Sequence, residues 1–145
     1  LKDLQAGATA VAAIETFPGS QRIFRPEEIV GAGLPMILDT AHIHEDRVIL
    51  DLLQRYHDHI PAVHLSARGE EEHHLPIDEF CVRVAKSLLK LRWDGSLILE
   101  YLPWHHYRVK QDLAMLNDIL EGNAAMMPGP PDDQYRNDPS HWGYD

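Results

Sequence analysis

Four short apolar runs in this chain each end in a residue that can bind a divalent metal ion. The runs stop at Glu15, Asp39, His64 and Glu100, and each is followed by a loop and a helical pattern. These residues are separated by 24 (39 − 15), 25 (64 − 39) and 36 (100 − 64) positions. One β/α unit of an eight-unit barrel takes roughly 31 residues, since the barrel has about 250. The spacing predicts four consecutive β/α units whose metal-type side chains gather at one edge of a sheet.

The apolar runs predict short strands, and the segments between them predict helices. We expect four strands that end at residues 14, 38, 64 and 99, and the third of them should start at Ile60-Pro61. We also expect a short helix that begins at Pro26 and three longer helices over 45–57, 77–91 and 107–121. Because each crossover contains a helix, the strands should be parallel. Apolar spacing predicts these inward faces: Val48, Ile49, Leu52, Leu53 and Tyr56; Phe80, Val84, Leu88 and Leu91; Val109, Leu113, Leu116 and Leu120.

Length and composition limit the classes of protein. At 145 residues the chain can form one domain but not a closed eight-stranded α/β barrel. Because it begins at Leu1, in what reads as the tail of a helix, we expect the natural protein to extend upstream. We assign 1–122 to the β/α domain and 123–145, rich in proline and glycine, to a C-terminal tail.

Charge and cysteine content bear on partners and location. The formal charge is −10, with 13 basic and 23 acidic residues, which disfavours nucleic acid because Lys and Arg supply most phosphate contacts. The single Cys81 cannot form an internal disulfide, and no apolar stretch reaches membrane-spanning length. We expect a soluble, cytoplasmic protein with no membrane partner.

Each candidate ligand also has a plain structural interpretation. Asp39 and His42 could bracket a metal after a strand, although an aspartate there is often only a helix cap. His64 alone would more often be a buried histidine with its own partners. The carboxylates of Glu15 and Glu100 end apolar strands, where a charge is costly unless it meets a metal or a cation. The structural alternative is an arginine partner, Arg22 or Arg108.

The loop after His64 carries a second set of polar side chains. It contains Arg68, a run of three glutamates, and His73-His74 before Leu75-Pro76. The glutamates are typical of a solvated loop, whereas His74 is the more functional candidate and Arg68 is a candidate substrate contact. The remaining histidines are interpreted as structural or solvent-facing: His44, His57, His59, His105 and His106.

Taken together, five motifs resemble the C-terminal half of the xylose isomerase-like TIM-barrel superfamily. They are Ile14-Glu15-Thr16, Leu38-Asp39-Thr40-Ala41-His42, Val63-His64-Leu65-Ser66, His74-Leu75-Pro76 and Leu99-Glu100-Tyr101. The superfamily includes sugar and sugar phosphate isomerases and epimerases, and apurinic-site endonucleases of the endonuclease IV type. The resemblance covers about 1–121 and implies the last four β/α units of such a barrel, as a half barrel or a fragment.

The resemblance also implies a site and an activity. One divalent ion, Mn, Mg, Co or Zn, would be held by Glu15, Asp39, His64 and Glu100, with His42, Arg68 and His74 next to a carbohydrate substrate. The two glutamates would be the acid and base of an epimerase or isomerase, moving a proton beside a carbonyl polarised by the metal.

Two alternatives stay open. The first is an endonuclease, whose family members use three metals and an Asp-x-His in the loop after the third of these strands. This chain has Glu72-His73-His74 at that place, and it carries Ala67 where the family often has aspartate. Both departures weaken the endonuclease alternative. The other alternative is a non-catalytic half barrel that serves binding or assembly. Four β/α units leave open sheet edges, which a homo-oligomer would cover.

Overall fold

The computed structural model describes residues 13–16 and 25–122 of the chain. Within them, four parallel strands form one sheet in the order β1-β2-β3-β4. The strands are β1 (Ile14–Glu15), β2 (Met36–Asp39), β3 (Ala62–Leu65) and β4 (Ser96–Leu99), and the helices are α1 (Pro26–Gly31), α2 (Asp46–Tyr56), α3 (Glu79–Lys90) and α4 (Val109–Leu120). Short 3-10 helices cover His57–His59 and Pro103–Arg108. The predicted alternation of parallel strands and helices is confirmed.

The element boundaries differ from the predicted ones by two residues at three places and agree within one residue elsewhere in the described ranges. The third strand begins at Ala62 rather than at Ile60, and α3 begins at Glu79 rather than at Ile77. The Ile60 carbonyl accepts the Trp93 indole N–H at 2.6 Å, and the Pro61 carbonyl accepts the Ser96 N–H at 2.9 Å. The last predicted helix starts later, because 103–108 form a 3-10 helix before α4. The start of the first predicted strand at 11–12 and the tail 123–145 lie outside the described residues.

The sheet has two different faces. Since side chains alternate along a strand and paired residues share a face, the register assigns each residue to one side. One face is apolar and packs against the helices; it carries Ile14, Met36, Leu38, Val63, Leu65, Leu97 and Leu99. The opposite face carries Glu15, Ile37, Asp39, Ala62, His64, Ser96 and Ile98. Ile98 is 42% exposed, so the described residues cover this second face only in part.

Helices α2 and α3 complete the core on the apolar face. Helix α2 buries Ile49, Leu52 and Leu53, as predicted, but Val48 is 39% exposed and the prediction for that residue is wrong. Helix α3 buries its predicted residues Phe80, Val84 and Leu88, together with Cys81, Val82 and Ala85. It begins at the N-cap Asp78, whose carboxylate accepts the Cys81 N–H at 2.8 Å and so satisfies one free donor of the first turn.

Helix α4 faces the core through a different set of residues than its apolar spacing predicts. Its buried residues are Asp112, Met115, Leu116 and Ile119. Leu116 is buried as predicted, whereas Leu113 and Leu120 are 44% and 38% exposed, so the prediction is wrong for these two residues. The helix is rotated because the Asp112 carboxylate is drawn inward by Tyr101 and Arg108, which donate hydrogen bonds to its two oxygens.

No helix in the described part of the chain combines the length and the apolar character needed to cross a membrane.

Candidate metal centre

The four predicted ligands lie at the carboxyl end of the sheet, on its less covered face. Glu15 ends β1 and pairs with Ile37, so Asp39 lies two positions further along on the same side. Asp39 pairs with His64, and His64 pairs with Ile98. Glu100 follows two positions after Ile98, just beyond the end of β4. The parallel register therefore brings one ligand-type side chain from each strand to a single place.

These four side chains converge to metal-binding distances. Each offers one ligand atom, and the four atoms all lie within 4.8 Å of one another. The His64 Nδ1 atom lies 2.6 Å from Glu100 Oε2 and 3.5 Å from Glu15 Oε1. A set of three carboxylates and one imidazole suits Mn, Mg, Co or Zn, which accept oxygen and nitrogen donors. The predicted grouping of Glu15, Asp39, His64 and Glu100 is what the fold produces.

Three atoms of this cluster are buried without hydrogen bonds. They are Asp39 Oδ2, His64 Nδ1 and Glu100 Oε2. Asp39 is fully buried, and its other oxygen accepts the Ala41 N–H at 2.8 Å, which fixes the direction of the carboxylate. These atoms have charged or titratable neighbours instead, with His64 Nδ1 2.6 Å from Glu100 Oε2 and Asp39 Oδ2 3.2 Å from His42 Nδ1. Carboxylate oxygens and an imidazole nitrogen that face one another in this way are donors that a divalent ion takes, so the residues present fit such an ion.

The electrostatics of the metal-free cluster are unfavourable to Glu15. Burial raises the pKa of the Glu15 carboxyl above its ordinary value. The nearby His64 and His42 lower that pKa, while the negative charges of Asp39 and Glu100 raise it further. The surroundings of Glu15 therefore disfavour the charged form of its carboxyl group in the absence of a cation.

A second group of ligand-type atoms adjoins the first. Asp39, His42 and His74 each offer an atom within the same 4.8 Å limit. The His42 Nδ1–H donates to the Thr16 carbonyl at 2.9 Å and lies 3.2 Å from Asp39 Oδ2. The imidazole rings of His42 and His74 meet edge to face, with centroids 5.1 Å apart. The fold thus places His42 and His74 beside the four-residue cluster, where the resemblance predicts them.

The backbone conformation of His74 is unusual. Its φ is +58°, in the left-handed region that a residue with a Cβ seldom adopts. Its Nδ1 lies 3.3 Å from the Ser66 hydroxyl oxygen, and its carbonyl accepts the Leu102 N–H at 3.0 Å. Non-glycine residues held in this conformation cluster at functional sites. The strain at His74 is therefore consistent with a functional role for its imidazole.

Two threonine hydroxyls that the motif analysis did not single out join the strand ends, the second of them through the backbone of Ser66. The Thr16 hydroxyl accepts the Asp39 N–H at 3.0 Å. The Thr40 hydroxyl donates to the Ser66 carbonyl at 2.8 Å and accepts the Ser66 N–H at 3.0 Å. The sequence marks Thr16 and Thr40 only by their position, because each directly follows a predicted ligand. These bonds join β1 to β2 and β2 to β3 beneath the cluster.

Arg68 lies beside the site but is engaged by the protein. Its guanidinium donates to the Thr40 carbonyl at 3.2 Å, to Asp46 Oδ1 at 2.7 Å and to the His44 carbonyl. Asp46 also accepts from Arg83 at 3.0 Å. These contacts bind the loop after β2 to the loop after β3. Contact of Arg68 with a substrate stays a prediction, and the bonds present indicate that it orders these loops.

Of the two arginines predicted as alternative partners of the glutamates, Arg108 pairs with another residue, and the prediction for Arg22 is not tested by the described part of the chain. Arg108 pairs with Asp112 at 2.9 Å, and Arg22 lies outside the described residues. Within the described ranges, the ion-pair contacts of Glu15 and Glu100 are with His42 and His64. The histidines interpreted as structural or solvent-facing take no part in either ligand group: His44, His57, His59, His105 and His106.

A separate cavity lies at the opposite end of the sheet. It has a volume of about 430 Å³ and is lined by 33–35, 57–61 and 91–94, which precede β2, β3 and β4. None of the predicted site residues lines it. In parallel α/β sheets, ligands bind outside the carboxyl ends of the strands. The cluster of Glu15, Asp39, His64 and Glu100 at that end is therefore the candidate site, and this cavity is not.

Comparison of the chain with models of protein families, with curated proteins and with solved structures gave no match. The resemblance to the xylose isomerase-like superfamily therefore stays an expectation that rests on the five motifs.

Proposed function

We propose that this protein is a divalent-metal-dependent isomerase or epimerase of a sugar, a sugar phosphate or a related polyol. The observation that supports it is the convergence of Glu15, Asp39, His64 and Glu100 within 4.8 Å, one from each strand of a parallel sheet. The order of these four residues along the chain is the order that the superfamily resemblance predicts. The sheet and its helices would be four units of an eight-unit barrel, whose inner face is the partly exposed one.

The proposed chemistry is a proton transfer shared by two glutamates. When bound, the metal would polarise the substrate carbonyl as a Lewis acid. Either Glu15 or Glu100 would take the proton from the neighbouring carbon, and the other glutamate would return a proton to complete the isomerisation or epimerisation. Their carboxylates approach His64 Nδ1 to 3.5 and 2.6 Å, so both border the same space. His42 and His74 would orient the substrate hydroxyls.

The test is deuterium incorporation. The full chain is loaded with Mn²⁺ or Co²⁺ in D₂O and incubated with a panel of aldoses, ketoses and their phosphates, and exchange at the carbon beside the carbonyl is followed by proton NMR. We expect metal-dependent exchange with at least one substrate, abolished in Glu100→Gln and retained in Glu71→Gln, a change in the exposed loop. A metal-loaded protein that exchanges no proton on any substrate would contradict the proposal.

A second candidate is a multinuclear phosphodiesterase acting on abasic sites in DNA. The observation that favours it is the second ligand group of Asp39, His42 and His74. The formal charge of −10 and Glu72 in place of the family aspartate speak against it. Metal analysis separates the two candidates, because the isomerase should bind one ion and the phosphodiesterase at least two. Cleavage of an oligonucleotide with one abasic site would favour the second candidate.

A further inference from the structure

A buried hydrogen-bond network begins at the residue next to Glu100. The Tyr101 hydroxyl donates to Asp112 Oδ2 at 2.8 Å and accepts the Ile77 N–H at 3.2 Å. The other oxygen of Asp112 accepts from the Arg108 guanidinium at 2.9 Å. Asp112 is fully buried and Arg108 is 6% exposed. One phenol therefore connects the end of β4, the loop before α3 and helix α4.

A second contact joins the same two segments on the other side. The Leu102 N–H donates to the His74 carbonyl at 3.0 Å. Beyond His74, the backbones of Leu75 and Ala67 exchange two hydrogen bonds of 2.9 Å each. The segment 100–102 is thus tied to the segment 74–77 twice, through Tyr101 to Ile77 and through Leu102 to His74. The backbone positions of Glu100 and His74 are coupled by these ties.

We propose that Tyr101, Asp112 and Arg108 are positioning residues that set the separation of Glu100 and His74 in the candidate metal centre. This inference rests on the proposed function, because it assigns the network a role in that centre. None of the three residues belongs to either group of ligand-type atoms. They act through the backbone on either side of the site.

The chemistry of the network is directional. The Tyr101 oxygen accepts the Ile77 N–H, and its hydroxyl proton is donated to the Asp112 carboxylate, which can only accept. Apolar side chains at these positions could pack α4 against the sheet equally well, but they would not fix distances along three segments. If the Asp112 carboxylate served only to pack α4, a leucine at that position would stabilise the fold at a lower desolvation cost.

The variant Tyr101→Phe tests the role, because it removes the hydroxyl and keeps the ring. The matched control is Val84→Ala, a truncation of a fully buried residue of α3 that also lowers thermal stability. Each full-length protein is titrated with Co²⁺ alone well below its melting temperature, and the visible absorption of the bound ion is recorded. We expect roughly tenfold weaker Co²⁺ binding and a changed spectrum in Tyr101→Phe. Val84→Ala should keep the affinity and spectrum of the unaltered protein.

Amide hydrogen exchange separates a failure of the network from a failure of the metal centre. In metal-free protein, we expect the Leu102 amide to exchange at least fivefold faster in Tyr101→Phe than in Val84→Ala, relative to global unfolding. If the unaltered protein binds no Co²⁺, the proposed metal centre is wrong, whatever the exchange rates. If it binds Co²⁺ and Tyr101→Phe binds equally well with an unchanged spectrum and unchanged Leu102 exchange, the positioning role is overturned.

Discussion

Replacing Glu100 with glutamine should separate the stability of the fold from the strength of the metal centre. The Glu100 side chain is 43% exposed, and only its Oε2 atom is buried, 2.6 Å from His64 Nδ1. Glutamine has the same shape and no charge. In metal-free protein the change removes the contact with His64 and also the repulsion of Glu15, and because these effects oppose each other we expect the free energy of unfolding to change by less than about 1 kcal/mol. The effect should appear only when metal is added.

The expected size of that effect follows from binding linkage. At a free metal concentration of 100 times the dissociation constant, the unaltered protein gains about 2.7 kcal/mol. Loss of one of the four ligands should weaken metal binding ~100-fold. Loss of a residue that only hydrogen-bonds to a ligand can already have an effect of that size. At the same metal concentration the variant then gains about 0.4 kcal/mol. The difference of about 2.3 kcal/mol corresponds to roughly 8 °C in melting temperature for a chain of this size.

The assay is thermal unfolding by circular dichroism, with and without Mn²⁺ or Co²⁺, after EDTA treatment. The control is Glu71→Gln, which removes an exposed carboxylate from the loop after β3 and should keep the full metal-dependent shift. If Glu100→Gln shows the same shift as the unaltered protein, Glu100 is not a ligand. If neither protein shifts, the four-residue cluster does not bind these ions.

Two further substitutions test the site and the fold. Burial raises the pKa of Glu15 above 4.5, so the metal-free folded state binds the carboxyl proton more tightly than the unfolded chain does. The stability that comes from this proton is present below pH 4.5 and is lost as the pH rises through the folded-state pKa. Glu15→Gln should therefore stabilise the metal-free protein at pH 7 and not at pH 4. The measurement is urea unfolding in EDTA, and an equal difference in unfolding free energy between variant and unaltered protein at the two pH values would contradict the prediction. Gly95→Ala would place a Cβ 2.6 Å from the Pro61 carbonyl and 2.2 Å from the Trp93 ring, and should cost about 1–3 kcal/mol in the same assay. Gly31→Ala, with nothing within 4 Å, is its matched control and should not destabilise.

The sequence predicts the strands and the meeting of the four side chains at the sheet edge because both depend on short-range signals, whereas metal binding by these side chains stays a prediction. An apolar run followed by a polar residue marks where a buried strand meets the sheet edge. Parallel connections then bring all such edges together, so Glu15, Asp39, His64 and Glu100 meet without any further information. The predicted helices are also confirmed to within two residues, and three of their ends carry a clear signal: α1 begins at a proline, α3 begins after the capping residue Asp78, and α4 is followed by Gly122 with a positive φ.

The orientation of α4 and the contacts of Arg68 could not be predicted in the same way. Leucine spacing alone favours Leu113 and Leu120 as inward residues, whereas the helix turns to bury Asp112. The partners that draw Asp112 inward include Tyr101, 11 residues away, and Arg68 binds Asp46, 22 residues away. Hydrogen bonds between loops of different units leave no periodic signal, so pattern analysis overlooks them.

The placement of His64 shows why the cluster depends on the apolar side of the sheet. A slip of one residue in the pairing of β3 would turn His64 towards the helices and remove it from the site. Val63 and Leu65, on either side of it, are both fully buried against the helices. Such a slip would expose both and bury the imidazole, at a cost of about 1.5–3 kcal/mol for each apolar side chain. The apolar neighbours of the ligand, rather than the ligand itself, therefore hold it on the face where a metal can bind.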